Sequence, residues 1–500
     1  MSGDSSPRIG LFGTFDLENF GDMLIARVTR RELAARLPCA SIRVFAPFGY
    51  PGLNRFDGGE EPAEPLGAWN AERAAELAGE LDCAVVGGGE VVDDLDELLA
   101  PHYGAHPAET VERAPSRFFI EGLGPELEEG CPVLWNAVGI PFDPTPEMVE
   151  RLRDALARRP YVAVRDEISL RRLREAGVEG EIALVPDATL VMDRLLPADL
   201  LDRRLAYLRS IGAYPKEGQA LVVQGDRDLI AWLDELATAF ASVADECGNV
   251  PIAVVETGPC YGDDAFADAL AEALPGRVTR VGPFAGVEDV AAAVVGSAGF
   301  IGSSLHGNVA AFVFGRPHVV LDLRGESKLR GFARSIGAPE LAVDRPADVA
   351  KAFERSETLG ARAEFVAEMQ TRVDAHFDRI SEIAVGSAAR PGREASGEFP
   401  EEAVEESDEA ARALWRAYEA QSRRLVSERI ALENRVQDVQ LTVAHAYEIR
   451  RRAEEETADM RVRLADKERE VENLLNLKLF RYAAPFRNAY GWLLRHLRRA

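Results

Sequence analysis

Five hundred residues exceed what one ordinary hydrophobic core organises, so two to four domains are expected. Hydrophobic residues at 47% and charged residues at 28% match a globular protein, and a net charge of -26 argues against nucleic-acid binding by the main body. Five scattered cysteines without a CxxC pair, no basic-then-apolar leader and no long uncharged apolar run point to a cytoplasmic chain with, at most, peripheral membrane contact.

Residues 9–12 read as a short buried strand, 13–21 as a glycine-bounded loop, and Asp22 opens a helical pattern through Leu37. Further buried strands are expected at 42–45, 83–86, 133–138, 161–164 and 182–185, with helical stretches between most of them. Residues 197–218 read as a connector. A second series follows, with strands at 220–223, 252–255, 278–281, 300–302 and 318–321, and helices at 229–244, 265–273, 287–295 and 308–314. Strands alternating with helices imply parallel sheets covered on both faces. The expected fold is α/β, with Rossmann-like lobes at 1–196 and 197–385 and a cleft outside the carboxyl ends of the strands.

Residues 386–408 are rich in Gly, Pro, Ser and Glu and read as an acidic linker. From 409 to 476 a seven-residue repeat appears. One seam runs Ala411, Tyr418, Leu425, Leu432, Val439, Ala446, Ala453, Met460, Lys467, Leu474, apolar at every position but Lys467. Arg429 and Arg450 interrupt the second seam. The pattern is that of an α-helical coiled coil, and a single charged helix packed on the body is the alternative. Residues 477–500 carry six Lys or Arg and no acid, with Phe480, Tyr482, Phe486, Tyr490 and Trp492 interleaved. Such a tail suits an anionic membrane surface or the protein's own acidic surface.

Four loops at strand ends are candidates for chemistry. In Gly13–Asp22, Asn19 can hydrogen-bond a sugar or phosphate, and Asp22 either contacts a ligand or caps the helix. Gly87, Gly88, Gly89 and Glu90 follow a strand and offer bare backbone N–H groups, in neither a GxGxxG nor a Walker A pattern. Arg165 ends a strand, positioned to pair with an anionic ligand or with a neighbour such as Asp166. Asp187 follows another strand, as a ligand contact or a turn cap. In the second half Ser303, Ser304, His306, Gly307 and Asn308 follow a strand and enter a helix. An imidazole there can exchange protons, with hydroxyls and backbone donors beside it.

Taken in order, Asn19-Phe20-Gly21-Asp22, Gly87–Gly89, Arg165-Asp166 with Ser169, Val185-Pro186-Asp187 and Ser304-Leu305-His306-Gly307 with Gly315-Arg316-Pro317 resemble the polysaccharide pyruvyl transferase family over roughly residues 8–340. The resemblance implies a glycosyltransferase B-like pair of lobes and transfer of a pyruvyl group from phosphoenolpyruvate to a saccharide acceptor, a surface-polysaccharide precursor, with no metal or other cofactor. It makes His306 the general acid or base. It assigns Arg165, Ser303, Ser304, Gly307, Asn308, Arg324 and Lys328 to the donor, and Asn19, Asp22, Gly87, Gly88, Gly89, Glu90 and Asp187 to the acceptor. The family's arginine two residues before the histidine is Ser304 here, and serine supplies no bidentate charge. Arg324, Lys328 or Arg330 would compensate, the donor would be a nucleotide sugar, or activity would be lost. A glycosyltransferase on the same fold and a non-catalytic scaffold of a glycan-synthesis complex, assembled as a homo-oligomer through the heptads, are the competing readings.

Overall fold

The computed structural model describes residues 6–49, 63–389 (apart from 94–95, 104–106, 114, 283–284, 326 and 361), 467 and 485–492. The chain divides into one unit at Met1–Ala395 and another at Ser396–Ala500.

The first unit is built on two parallel sheets. The first contains β1 (Arg8–Phe12), β2 (Ser41–Ala46), β3 (Glu64–Pro65), β4 (Cys83–Val86), β5 (Val133–Val138), β6 (Val162–Val164) and β7 (Ala183–Leu184), in the order β3-β2-β1-β4-β5-β6-β7. The second contains β8 (Leu221–Gln224), β9 (Ile252–Val255), β10 (Val278–Val281), β11 (Gly299–Gly302), β12 (His318–Leu321) and β13 (Ala342–Val343), in the order β10-β9-β8-β11-β12-β13. The central strands β4, β5, β8, β9, β11 and β12 bury every residue, as parallel strands covered on both faces must. In each sheet the strand order reverses beside the first strand, between β1 and β4 and between β8 and β11. Such reversals open a crevice at the carboxyl edge, where α/β proteins bind ligands.

Most expected strands appear within a residue of their sequence bounds. The two-residue strands β3 and β13 were not expected, being too short to leave an apolar run. The helix expected at 229–244 is a 3-10 turn, Arg227–Trp232, followed by the helix Leu233–Glu246. The connector contains the helix Ala198–Ser210, which the Arg204–Asp289 ion pair (2.7 Å) holds against the helix Val287–Val295.

One apolar core runs through both lobes. It joins Leu11 and Val85 of the first sheet to Phe20 and Leu24 on the helix Phe20–Arg36, and to Val290 and Val309 of the second lobe. The helix Ala363–Ala388 follows the second lobe in sequence yet packs on the first sheet, its Val373, Phe377 and Ile380 entering this core. The second-lobe segment expected to end at 385 therefore does not stay on the second lobe. His376 anchors the crossing: Tyr161 Oη lies 2.8 Å from its Nδ1, and Nε2 lies 2.7 Å from Asn136 Oδ1. The helix also runs through Gly386, where the acidic linker was expected to begin.

The rest of that linker and the expected coiled coil and tail lie outside the described residues, except Lys467 and 485–492. Both are helical, and Phe486, Tyr490 and Trp492 are exposed. Among the described residues no helix is long and apolar enough to cross a membrane.

Candidate functional site

The β1 loop enters its helix through Asn19, whose Oδ1 accepts from the Gly21 N–H at 2.7 Å. Asn19 is thus the cap, and Asp22 lies in the first turn with its carboxylate free for other work. Thr14 Oγ1 donates to Asp22 Oδ1 at 3.2 Å. Burial pushes the Asp22 carboxyl up to about 6, against the pull of His306, Thr14, Lys328 and Arg165.

At Gly87 the glycine turn after β4 is not the open backbone surface its composition suggests. Gly87 donates to the Phe12 carbonyl at 2.6 Å, and the Phe15 ring covers its α-carbon. Gly88 and Gly89 have φ of 91° and 83°, a left-handed backbone that glycine adopts without strain. A Cβ at Gly88 would stand 2.9 Å from the Asn136 carbonyl, and one at Gly89 would stand 3.4 Å from Asp22 Oδ1. Glu90, the next residue, reaches the crevice.

In the second lobe the residues after β11 largely hold their own turn. Ser304 caps the helix Leu305–Val313, its Oγ accepting from the Gly307 N–H at 3.2 Å, and its own N–H donates to Gln224 Oε1 at 2.7 Å. Ser303 Oγ lies 3.3 Å from that same Oε1 and 3.4 Å from Asp226 Oδ2. Gly307 sits beneath the Phe300 ring, and Asn308 Nδ2 donates to the carbonyls of Gly302 and Ser304, each at 2.9 Å. Ser304 Oγ, the Gly307 N–H and Asn308 Nδ2, expected at the donor, are thus engaged in the cap and the turn, whereas Asn308 Oδ1 is buried without a hydrogen-bond partner among the described residues. Gln224 is held in turn by Asp263, a buried carboxylate that also gathers the N–H groups of Thr257 and Gly258.

The side chain that leaves this turn is His306. It crosses to the first lobe, where Nδ1 abuts the α-carbon of Gly21 and Nε2 lies 3.5 Å from Asp187 Oδ2. Each of the two side chains is 11% exposed. Asp187 Oδ1 accepts from the Thr189 N–H (2.9 Å) and hydroxyl (2.6 Å), which fixes the carboxylate. Burial opposes its charge, but His306, Arg165 and Thr189 together hold it well below the usual carboxylate range.

Arg165 lies over Gly139, where a Cβ would stand 2.8 Å from Nη2, and three carboxylates surround it: Glu90 at 3.4 Å, Asp166 at 3.6 Å and Asp187 at 3.7 Å. Burial works against the guanidinium, but these anions outweigh it and raise its pKa. Lys328 Nζ, from the second lobe, lies 3.2 Å from the other oxygen of Glu90. Glu90, expected to meet the acceptor, thus bridges two cations expected to meet the donor.

Arg324 makes a two-pronged contact with Asp226 (2.8 and 3.1 Å) and a third with Asp228 (2.6 Å), placing it beside Ser303. Arg330 pairs with Asp322 and lies 3.9 Å from Asp344, so it does not stand in for the missing arginine.

The structure therefore gathers His306, Arg165, Asp187, Asp22, Glu90 and Lys328 at the facing switch points. It uses Gly87, Ser304 and Gly307 in the turns that hold these side chains. The sequence reading missed Gly21 as the seat of the histidine, and Gln224 and Asp226, although Gln224 ends β8 and Asp226 lies just past it, as the chosen motifs lie at strand ends. His306 Nε2 and Arg165 Nη2, one from each lobe, are buried and make no hydrogen bond among the described residues. An oxyanion or hydroxyl placed between them would satisfy both. No cluster of three or more His, Cys, Asp or Glu suited to a metal ion occurs among the described residues.

The family model described as polysaccharide pyruvyl transferase matches residues 19–324, a span holding every gathered residue but Lys328. No curated protein matches the chain. Among solved structures it is similar to the UDP-GlcNAc 2-epimerase from Neisseria meningitidis bound to UDP-GlcNAc (13% identity, 75% of this chain and 98% of that chain, TM-score 0.47). It is also similar to the UDP-N-acetylglucosamine 2-epimerase from Rickettsia bellii (14%, 76% and 96%, 0.46) and the ADP-heptose LPS heptosyltransferase II of E. coli (14%, 63% and 84%, 0.32).

Proposed function

The chain belongs to the polysaccharide pyruvyl transferase family, and on that premise we propose that it moves a pyruvyl group from phosphoenolpyruvate to two hydroxyls of a saccharide in a surface-polysaccharide precursor. The observation that carries this reading is the pair of buried groups His306 Nε2 and Arg165 Nη2, which make no hydrogen bond among the described residues and face one crevice beside the Asp187 and Glu90 carboxylates. In the glycosyltransferase B-like arrangement the two lobes supply one group each.

In this scheme protonated His306 delivers a proton to the methylene carbon of the enol, and the adjacent carbon becomes electrophilic. One sugar hydroxyl adds there. The C–O bond to phosphate breaks, phosphate departs with the bonding electrons, and the second hydroxyl closes the ketal. Of the two hydroxyl protons released, one restores the histidine and one leaves with phosphate. Asp187 orients the ring, and Arg165 stabilises negative charge on the donor.

A nucleotide-sugar donor is the second reading, and one observation favours it. Glu90 already pairs with Arg165 and Lys328, and Asp226 and Asp228 pair with Arg324, where Ser304 replaces the family arginine. A thermal-shift panel separates the two. Phosphoenolpyruvate raises the midpoint and yields saccharide-dependent phosphate under the first reading. Under the second a nucleotide sugar alone raises the midpoint and yields a saccharide-dependent nucleotide, which excludes the first.

We also propose that the basic, aromatic residues 477–500 hold the enzyme peripherally on the cytoplasmic face of an anionic membrane, and that the heptads pair two copies. The exposed Phe486, Tyr490 and Trp492 support the first point. Vesicles of phosphatidylglycerol should pellet the full chain but not its Phe486→Ser/Trp492→Ser variant; equal pelleting excludes the anchor. A monomer by sedimentation excludes the pairing.

A further inference from the structure

The transferase reading, on which this inference rests, requires a surface for the acceptor sugar. Tyr261 of the second lobe remains 41% exposed, although both lobes surround it. Its ring lies against Gly258, where a Cβ would stand 2.8 Å from Cδ2. The Asn19 carboxamide of the first lobe lies beside it, its Nδ2 3.7 Å from where that same Cβ would stand. The His102 ring, also from the first lobe, packs on it with centroids 4.6 Å apart and planes inclined at 56°.

The arrangement is held firmly. His102 Nδ1 lies 3.2 Å from the Cys260 carbonyl oxygen, so that nitrogen carries the proton in neutral imidazole and Nε2 is left as an acceptor. The helix bearing His102, Asp96–Tyr103, is fastened to the glycine loop by the Tyr103 hydroxyl, which donates to Asp16 Oδ1 at 2.7 Å. Asp16 Oδ2 accepts from the N–H groups of Phe48 (2.7 Å) and Gly49 (2.8 Å). The Phe20 N–H donates across the lobes to the Thr257 carbonyl at 2.6 Å, close to Gly258. Asn19 also links this corner to the reaction centre: it lies beside Gly258, its Oδ1 accepts from the Gly21 N–H, and Gly21 seats His306.

We propose that Tyr261, supported by His102, is the platform on which the acceptor saccharide packs. A pyranose presents a face of C–H groups rimmed by hydroxyls. A rigid aromatic ring covers the first, while the phenol oxygen and an imidazole acceptor nitrogen meet the second. Phosphoenolpyruvate, small and highly charged, gains little from such a surface. A nucleobase would gain from it, and is the competing occupant.

Saturation-transfer NMR on the full chain tests this, with methyl α- and β-pyranosides of glucose, galactose and mannose and, separately, UDP as probes. The ring protons of at least one pyranoside should receive saturation from the wild type, Tyr261→Ala should lose it, and Tyr261→Phe should keep it. With a turned-over acceptor, Tyr261→Ala should raise its KM about tenfold and leave the KM for phosphoenolpyruvate unchanged, the size expected for one lost ring contact. An unchanged thermal midpoint shows that the variant folds. The platform is overturned if the folded Tyr261→Ala protein retains saturation, if no pyranoside receives it from the wild type, or if only the uracil of UDP does. Saccharide contact that depends on Tyr261, without phosphate release from phosphoenolpyruvate, would instead sink the pyruvyl-donor reading and leave the platform standing.

Discussion

The imidazole of His306 closes directly onto the α-carbon of Gly21, and these two residues come from different lobes. A methyl group at position 21 would overlap Nδ1, so the glycine sets how near Nε2 comes to Asp187. Gly21→Ala should therefore displace the ring and lower kcat roughly 100-fold, the scale of a misplacement near 1 Å. Steady-state phosphate release measures this. Turnover within threefold of wild type would mean that the ring is not held there for catalysis.

Asp22 has a pH signature. An unfolded aspartate ionises near pH 3.9, whereas burial raises the folded group to about 6. The folded state thus keeps a proton that the unfolded chain releases. Asp22 costs stability as pH rises from about 4 to 6, and the cost is complete above that range. Asp22→Asn should gain stability relative to wild type at pH 7.5 but not at pH 3.5. Urea midpoints at both values decide it, and a constant difference between the proteins would refute the shift.

Glu90 holds Arg165 at 3.4 Å and Lys328 at 3.2 Å. Glu90→Gln keeps the shape and removes a negative charge that competes with an anionic donor at both cations. The Kd for phosphoenolpyruvate should fall about tenfold, equivalent to ~1.4 kcal/mol, by calorimetric titration. Weaker binding in this variant would place the donor away from these two cations.

His376 couples stability to acid. Burial lowers its pKa to about 3, and lowers that of His318 to about 4. The unfolded imidazoles take up protons below about pH 6.5 while the folded ones resist. The stabilisation is full above that pH and declines as pH falls towards 3. His376→Leu strands Asn136 Oδ1 and the Tyr161 hydroxyl, at a cost of about 1–3 kcal/mol at pH 7. Its stability should also vary less between pH 7 and pH 4 than that of wild type, as chemical denaturation will report. An equal slope would rule out His376 as a titrating group.

Strand positions, the alternation with helices and the glycine, arginine and histidine motifs at strand ends were all legible, because each is a local matter. A buried parallel strand needs a short apolar run, and a ligand loop needs glycine or polar residues just after it. Val133–Val138 and Val278–Val281 appear where their composition put them. Capping was ambiguous in the same window: Asn19 and Asp22 both suit a helix start, and only the observed bond to the Gly21 N–H separates them.

By itself, then, the sequence determined a two-lobed α/β chain of one family and the short segments that line its crevice. Tertiary structure alone decided what those segments do to one another. His306 reaches Gly21 and Asp187, Lys328 reaches Glu90, Phe15 covers Gly87, and His376 returns to the first sheet. The physical reason is range. Burial periodicity acts over a few neighbouring residues and leaves a mark in composition. Ion pairs and ring contacts between lobes join positions hundreds of residues apart, and they exist only once both sheets have formed and closed on a common core.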